Sequence, residues 1–180
     1  DCGILKSFRD WAYDRGETIR ATTSFLMADS TTPDGDYIKP QTNPTNTDCW
    51  NGKAYTPLNQ LTPGRTKYGT NNNVRIFRYA DVLLMNAEAK IKNGKSGDAP
   101  FNEVRRRAQM PELTNVTFEQ VIDERRMELV CEWGERYNDL VRTGLAKTEL
   151  KGWSEDKALL PLPFNQYTQI PDLLKEPKDE

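Results

Sequence analysis

Histidine is absent from all 180 residues of this chain. A Ser/His or Cys/His catalytic triad, a zinc site built from Cys and His, and the Glu-x-x-His motif of di-iron helical bundles all need this side chain. Its absence excludes these sites from the segment. We therefore expect no catalytic residue, no metal site and no cofactor, since the sequence also contains no nucleotide-binding glycine loop.

Long apolar runs and an excess of positive charge are also missing. No stretch approaches the roughly 20 apolar residues of a membrane-spanning helix, and the densest run, residues 80–89, includes Asp81, Asn86 and Glu88. The 25 basic residues are balanced by 27 acidic ones. Without a basic patch, the chain is not expected to bind nucleic acid.

Cysteine is scarce, with Cys2, Cys49 and Cys131 as its three occurrences. Their spacing matches neither a zinc site nor a disulfide framework, and an odd number leaves at least one thiol unpaired. The cysteines therefore leave the redox compartment open.

Residues 31–73 are rich in Pro, Gly, Asn, Thr and Asp, which predicts irregular structure with several turns. Polar loops longer than about 15 residues are uncommon in a compact domain unless they are functional or disordered. A disordered linker is one alternative, but Tyr37, Trp50, Tyr55 and Tyr68 argue against it because disordered segments contain few aromatic residues. We therefore treat residues 1–74 as a loop-rich region and as the candidate ligand-binding face.

Residues 75–180 form the predicted helical region. Five apolar residues recur at intervals of three or four and predict one helix face: Ile76, Ala80, Leu83, Ala87 and Ile91. This helix should end at Asn93-Gly94, where glycine can adopt a left-handed conformation. A second, short helix is predicted from Asp98 until Pro111.

A third helix is predicted to start at Thr117, whose hydroxyl can form a capping box with Gln120. Its helical spacing continues to Gly144, which would make it the longest helix, with Trp133 and Tyr137 as packing residues and a possible bend at Gly134. After residue 159, repeated prolines are expected to exclude regular helix and to favour an extended tail.

The third helix carries many charges, among them Glu128 and Glu132, which lie one helical turn apart. Paired carboxylates can serve glycosidic cleavage, although neighbours on one helix cannot readily flank a bond from opposite sides. The alternative is a structural network of arginines and carboxylates. We favour that network, formed by the following residues: Arg125, Arg126, Arg136 and Arg142 with Glu124, Glu128, Glu132 and Asp139.

Several motifs in the helical region resemble the SusD/RagB family of outer-membrane nutrient-binding lipoproteins. Residues 78–89 read RYADVLLMNAEA, and residues 101–108 are similar to the family's N-x-VR-x-RA helix. Residues 124–129 read ERRMEL, and residues 160–163 resemble its closing proline segment. Residues 132–142 match the E-G-x-R-x-x-DL-x-R pattern, with the departure that Trp133 precedes the glycine. The motifs also follow the family's order along the chain.

The resemblance implies a mostly α fold, namely the SusD-like C-terminal helical region with long irregular loops. In the family this region packs on tetratricopeptide-like helices from an N-terminal half. We expect that half, and the lipid anchor that holds such proteins on the outward face of the outer membrane, to be missing from this segment.

The resemblance also implies a non-enzymatic protein that binds a glycan or another nutrient, such as a peptide, and delivers it to a SusC-like TonB-dependent transporter. Two rival functions are a fragment of a glycan-cleaving enzyme and a helical interaction module whose loops dock a partner.

The candidate ligand-binding residues are Trp50, Tyr55 and Tyr37, because flat aromatic rings complement the C–H faces of sugars. Four nearby amides can exchange hydrogen bonds with hydroxyl groups: Asn43, Asn46, Asn51 and Asn59. The alternative for Trp50 is that it packs the loops onto the helical body.

Overall fold

The computed structural model describes residues 3–40, 47–64, 75–133, 135–159 and 163–169. Predictions that concern Cys2, Asn43, Asn46, Tyr68 and Gly134 lie outside these ranges. The chain divides into two compact units, residues 1–136 and residues 137–180. Within the described ranges, no helix has the length and apolar character needed to cross a membrane.

Helices dominate the described residues, which confirms the mostly α prediction. The α-helices are α1 (Lys6–Asp14), α2 (Ile19–Ser24), α3 (Tyr79–Lys92), α4 (Asp98–Arg107), α5 (Phe118–Glu128), α6 (Glu135–Arg142), α7 (Ala146–Glu149) and α8 (Phe164–Gln169). The strands are β1 (Gly3–Leu5), β2 (Phe25–Met27), β3 (Ser30–Thr31), β4 (Tyr37–Ile38) and β5 (Thr47–Asn51).

Helices α3 and α4 match their predictions closely. Helix α3 ends at Lys92, and Gly94 adopts the left-handed conformation with φ 68°. The predicted face was wrong at Ile76, which precedes the helix and is 67% exposed. Helix α4 starts at Asp98 and buries Phe101 and Val104, as the apolar spacing predicts.

The predicted long third helix is wrong, because the chain forms α5 and α6 with a break between them. Helix α5 ends at Glu128, and α6 begins at Glu135. Within the break, Cys131 has φ 60° and Trp133 has φ 22°. Positive φ values are incompatible with a continuing right-handed helix. At 14 residues, α3 is longer than either piece.

The tail also departs from its prediction. Prolines were expected to exclude regular helix there, but α8 begins directly after Pro163. Proline is tolerated at the start of a helix because the first backbone N–H groups have no intrahelical acceptor. The prediction of an extended chain for residues 160–162 and 170–180 lies outside the described ranges.

The three-stranded antiparallel sheet has the order β1-β5-β2, so β5 is its central strand. Strands β3 and β4 form a separate short hairpin. Helices α1 and α2 and this sheet were not predicted, because elements of three to nine residues carry little periodic signal.

Two apolar clusters hold the first unit together. The cluster between α3, α4 and α5 consists of Ala80, Leu83, Leu84, Ala87, Phe101, Val104, Val116 and Val121. The cluster beneath the sheet consists of Ile4, Ala12, Ala21, Phe25, Cys49 and Met127. Because Met127 and Val121 both lie on α5, this helix contributes to both clusters and is a central element of the unit.

The capping box of α5 is present: the Thr117 hydroxyl accepts a bond from the Gln120 N–H at 3.3 Å, and the Gln120 side chain accepts one from the Thr117 N–H at 2.9 Å. We expect Thr117→Ala to lower the free energy of unfolding by about 1 kcal/mol, because the cap bond is lost. Urea denaturation followed by circular dichroism measures this change. Thr117→Ser is the control, since it keeps the hydroxyl, and equal losses in both variants would contradict the prediction.

Candidate functional site

Glu124 of α5 is fully buried and binds three arginines. Its carboxylate accepts hydrogen bonds from Arg15 at 2.6 Å, from Arg20 at 2.6 Å and from Arg105 at 2.9 Å. These cations come from parts of the chain that are distant in sequence, since Arg15 follows α1 and Arg105 lies on α4. Glu124 therefore ties three parts of the chain to α5.

Glu128, at the end of the same helix, has a similar environment. Arg78 donates to it at 2.8 Å, Arg107 at 2.7 Å and Arg20 at 3.1 Å. Arg78 also donates at 2.7 Å to Glu132, which lies in the break after α5. One guanidinium thus bridges the two carboxylates that sequence reasoning singled out.

The predicted network exists, but most of its predicted partners were wrong. Arg142 does pair with Asp139 at 2.6 Å, within the second unit. Arg125 instead pairs with Asp81 of α3 at 2.6 Å, and Arg126 lies 4.3 Å from the ring centre of Trp11. Long-range partners replace local ones because successive positions of α5 face different neighbouring elements.

Both carboxylates near Arg78 are held in their charged form. Burial alone would raise the pKa of the Glu128 carboxyl, but the hydrogen bond from Arg78 and the nearby arginine charges outweigh burial and hold this pKa below its ordinary value. The pKa of Glu132 is likewise lowered, because bonds from Arg78 and Lys53 outweigh its burial. A glycosidic general acid needs a raised pKa, so this pair is unsuited to that chemistry.

An open cleft of about 710 Å³ lies beside these carboxylates. Residues from the end of α2, the segment after β5, α4 and the α5–α6 break line it. They include Arg20, Ser24, Asn51, Lys53, Arg75, Arg78, Arg107, Glu128, Glu132 and Trp133. The cleft is therefore built from residues of both the loop-rich and the helical regions.

Trp133 lies at this cleft and is 62% exposed. Its indole N–H donates to the Arg75 carbonyl oxygen at 2.5 Å, which fixes one edge of the ring. The prediction that Trp133 packs in the core of a long helix was wrong, because the break after α5 removes it from the helical face. The hydroxyl of Tyr137, the other predicted packing residue, donates to the Lys157 carbonyl oxygen.

The segment after β5 also lines the cleft. A Cβ atom at Gly52 would lie 2.2 Å from the Thr23 carbonyl oxygen, so only glycine permits this close approach to α2. The next residue, Lys53, donates to the Glu128 carbonyl oxygen and to the Glu132 carboxylate, each at 2.6 Å. Burial lowers the pKa of Lys53 more than the carboxylates raise it.

The three predicted ligand-binding aromatics lie outside this cleft lining. Tyr37 on β4 is 53% exposed, and its hydroxyl donates to Asp29 at 2.6 Å, which raises its pKa. Tyr55 is half-buried, and its hydroxyl bonds to Asp36 and to Thr32 in the β3–β4 turn. Both hydroxyls therefore contact the β3–β4 hairpin.

Trp50, the third predicted aromatic, lies on the central strand β5. It is paired across the sheet with Gly3 on β1 and Leu26 on β2. Side chains alternate along a strand, so Trp50 projects from the face opposite to the buried Cys49. Trp50 is half-buried at this position.

Sequence reasoning missed Trp133, Arg75 and Lys53 as cleft residues. Helical spacing assigned Trp133 to the core, and the two cations had no motif. One signal was available, because glycine is a poor helix former and follows Trp133 directly.

Comparison with known proteins gives three informative relatives. The chain is 33% identical over 119 residues to the SusD-like protein P38 of Formosa agariphila, which covers 56% of this chain and 24% of the relative. It is 36% identical over 81 residues to the starch-binding protein SusD of Bacteroides thetaiotaomicron, and this match covers 44% of this chain and 14% of the relative. A solved structure, surface glycan-binding protein A from Bacteroides thetaiotaomicron, aligns with a TM-score of 0.78 at 28% identity.

That structural alignment covers 97% of this chain and 40% of the solved chain. The chain thus spans less than half the length of each of these relatives. The sequence model of the SusD family matches residues 4–172. The motif resemblance is confirmed, and this chain belongs to the SusD family.

Proposed function

We propose that this chain is part of a cell-surface protein that binds glycans without cleaving them. Family membership supports the proposal, as do relatives whose names describe binding to starch or to surface glycans. The lowered pKa values of Glu128 and Glu132 favour binding over hydrolysis, since neither carboxyl can act as a proton donor near neutral pH.

The observation that carries the proposal is the exposed indole of Trp133 at an open cleft. Sugar rings present apolar C–H faces and polar hydroxyl rims. An exposed aromatic ring complements the faces, whereas charged and amide groups such as Lys53 and Asn51 complement the rims. A ring held at one edge by the Arg75 carbonyl is already oriented for stacking.

The loop-rich region, residues 1–74, is the second part of the proposed binding face, and residues 75–180 are its helical support. Tyr37 offers an exposed ring, whereas Trp50 and Tyr55 are half-buried. We retain all three as candidate ligand contacts outside the cleft lining.

We also propose that the whole protein is lipid-anchored on the outward face of the outer membrane and delivers its glycan to a SusC-like TonB-dependent transporter. Protease accessibility on intact cells tests the location, and co-purification of a TonB-dependent transporter tests the partnership. Protection from protease, or purification without a transporter, would contradict the respective part.

Binding is tested by calorimetry of the purified chain with malto-, cello- and laminari-oligosaccharides. Trp133→Ala is expected to weaken the best ligand roughly 10- to 100-fold, a loss of about 1–3 kcal/mol, because the stacking surface is removed. Trp133→Phe is the matched control and should keep most of the affinity. Parallel Tyr37→Ala, Tyr55→Ala and Trp50→Ala variants report on the loop aromatics.

A loss of affinity supports the proposal only if the melting temperature of the variant is unchanged, because an unfolded variant also loses binding. If Trp133→Ala kept full affinity, the proposal that the glycan binds at this cleft would be wrong. Release of reducing sugar ends from any of these oligosaccharides would contradict a non-enzymatic role.

A further inference from the structure

The cleft beside Trp133 carries a surplus of positive charge. Its lining contains five cationic side chains: Arg20, Lys53, Arg75, Arg78 and Arg107. The lining contains two carboxylates, Glu128 and Glu132, which leaves three positive charges uncompensated within the lining. The whole chain, in contrast, has a formal net charge of −2.

The charges behind the lining do not cancel this surplus. Arg20 of the lining pairs with Glu17, which lies outside the lining. Glu17 in turn pairs with Arg15, and Arg15 and Arg105 both pair with Glu124. Two cations and two carboxylates add no net charge. The surplus therefore acts on the cleft, where low-dielectric walls strengthen it.

Two of the cations are available to a ligand. Arg107 is 56% exposed although it contacts Glu128. Arg75 is exposed, and its guanidinium forms no ion pair within the described part of the chain. Because the Arg75 carbonyl oxygen accepts a bond from the Trp133 indole, the Arg75 side chain begins next to the proposed stacking surface.

We propose that this cleft selects glycans that carry negative charge, as carboxylates of uronic acids or as sulfate esters. Trp133 stacks on a sugar ring, and the guanidinium groups of Arg75 and Arg107 bind the anion in the planar, two-pronged geometry that suits both groups. This inference rests on the proposed glycan-binding function and narrows its ligand class.

The test compares ligands that differ only in charge. Calorimetry of the purified chain uses hexagalacturonate against its methyl ester, and sulfated laminarihexaose against laminarihexaose. At least one charged member is expected to bind 10-fold or more tightly than its neutral counterpart at low salt. This advantage should shrink as salt is added, because screening weakens the attraction. The two pairs distinguish carboxylate from sulfate recognition.

Arg75→Gln is expected to weaken binding of the charged ligand about 10-fold. It should weaken binding of the neutral counterpart much less, with an unchanged melting temperature. Arg106→Gln is the matched control. Arg106 precedes Arg107 on α4 but pairs with Glu112 on the exposed surface, so its loss should change no affinity.

Three outcomes would overturn the inference. If the charged and the neutral oligosaccharide of each pair bound with equal affinity, selection by charge would be wrong and the proposed glycan binding would stand. Equal effects of Arg75→Gln and Arg106→Gln would show attraction by overall charge and not by this cleft. Failure of every oligosaccharide to bind a folded chain would overturn the proposed function itself, and with it this inference.

Discussion

Replacing Glu124 with glutamine is expected to lower the free energy of unfolding by about 3–5 kcal/mol. The carboxylate is fully buried and accepts hydrogen bonds from Arg15, Arg20 and Arg105. Removing its charge leaves buried guanidinium groups without full compensation, and the cost of desolvating those cations then exceeds the remaining attraction. Urea denaturation, with an unchanged slope against denaturant, measures the loss.

Glu112→Gln is the control for this experiment. Glu112 pairs with Arg106 at 2.9 Å, but the two side chains are 56% and 63% exposed. Exposed pairs contribute at most about 1 kcal/mol, because water already solvates both ions. If both glutamine variants lost the same stability, the claim that burial makes Glu124 essential would be wrong.

Replacing Phe101 with alanine is expected to cost about 3–5 kcal/mol of stability. Phe101 is 1% exposed and lies in the apolar cluster between α3, α4 and α5. Truncation removes the buried ring and leaves a cavity that close-packed neighbours fill only partly. Thermal unfolding should show a large fall in melting temperature.

The matched control is Phe77→Ala, because the same atoms are removed from a ring that is 75% exposed. We expect a change within about 0.5 kcal/mol, since little apolar surface of Phe77 is buried in this chain. Equal losses at the two positions would mean that the cluster around Phe101 does not carry the stability assigned to it.

The fold was predictable where the chemistry is local. The end of α3 and the start of α4 were predicted correctly, because terminal signals such as Gly94 and Pro100 act within a few positions. The capping box at Thr117 was predicted for the same reason. Family motifs in these helices then placed the chain in its family, and the sequence comparisons confirmed this.

The candidate site was much less predictable. Aromatic residues in the loops were chosen because flat rings with nearby amides complement sugars, whereas Trp133 was assigned to the core by its spacing. The break between Glu128 and Glu135 makes that spacing irrelevant. Whether Trp50, Tyr55 and Tyr37 contact a glycan stays a prediction.

By itself, the sequence determined the helical class, the C-terminal end of α3, the start of α4, the presence of a charged network and the family. Tertiary structure decided which ions pair and which ring is exposed at the cleft. Arg20 reaches Glu124 across 104 positions of sequence, and Arg78 reaches Glu132 across 54. Helical periodicity reports only contacts within a few residues, whereas ion pairs and cleft walls depend on how distant elements pack, which no local pattern records.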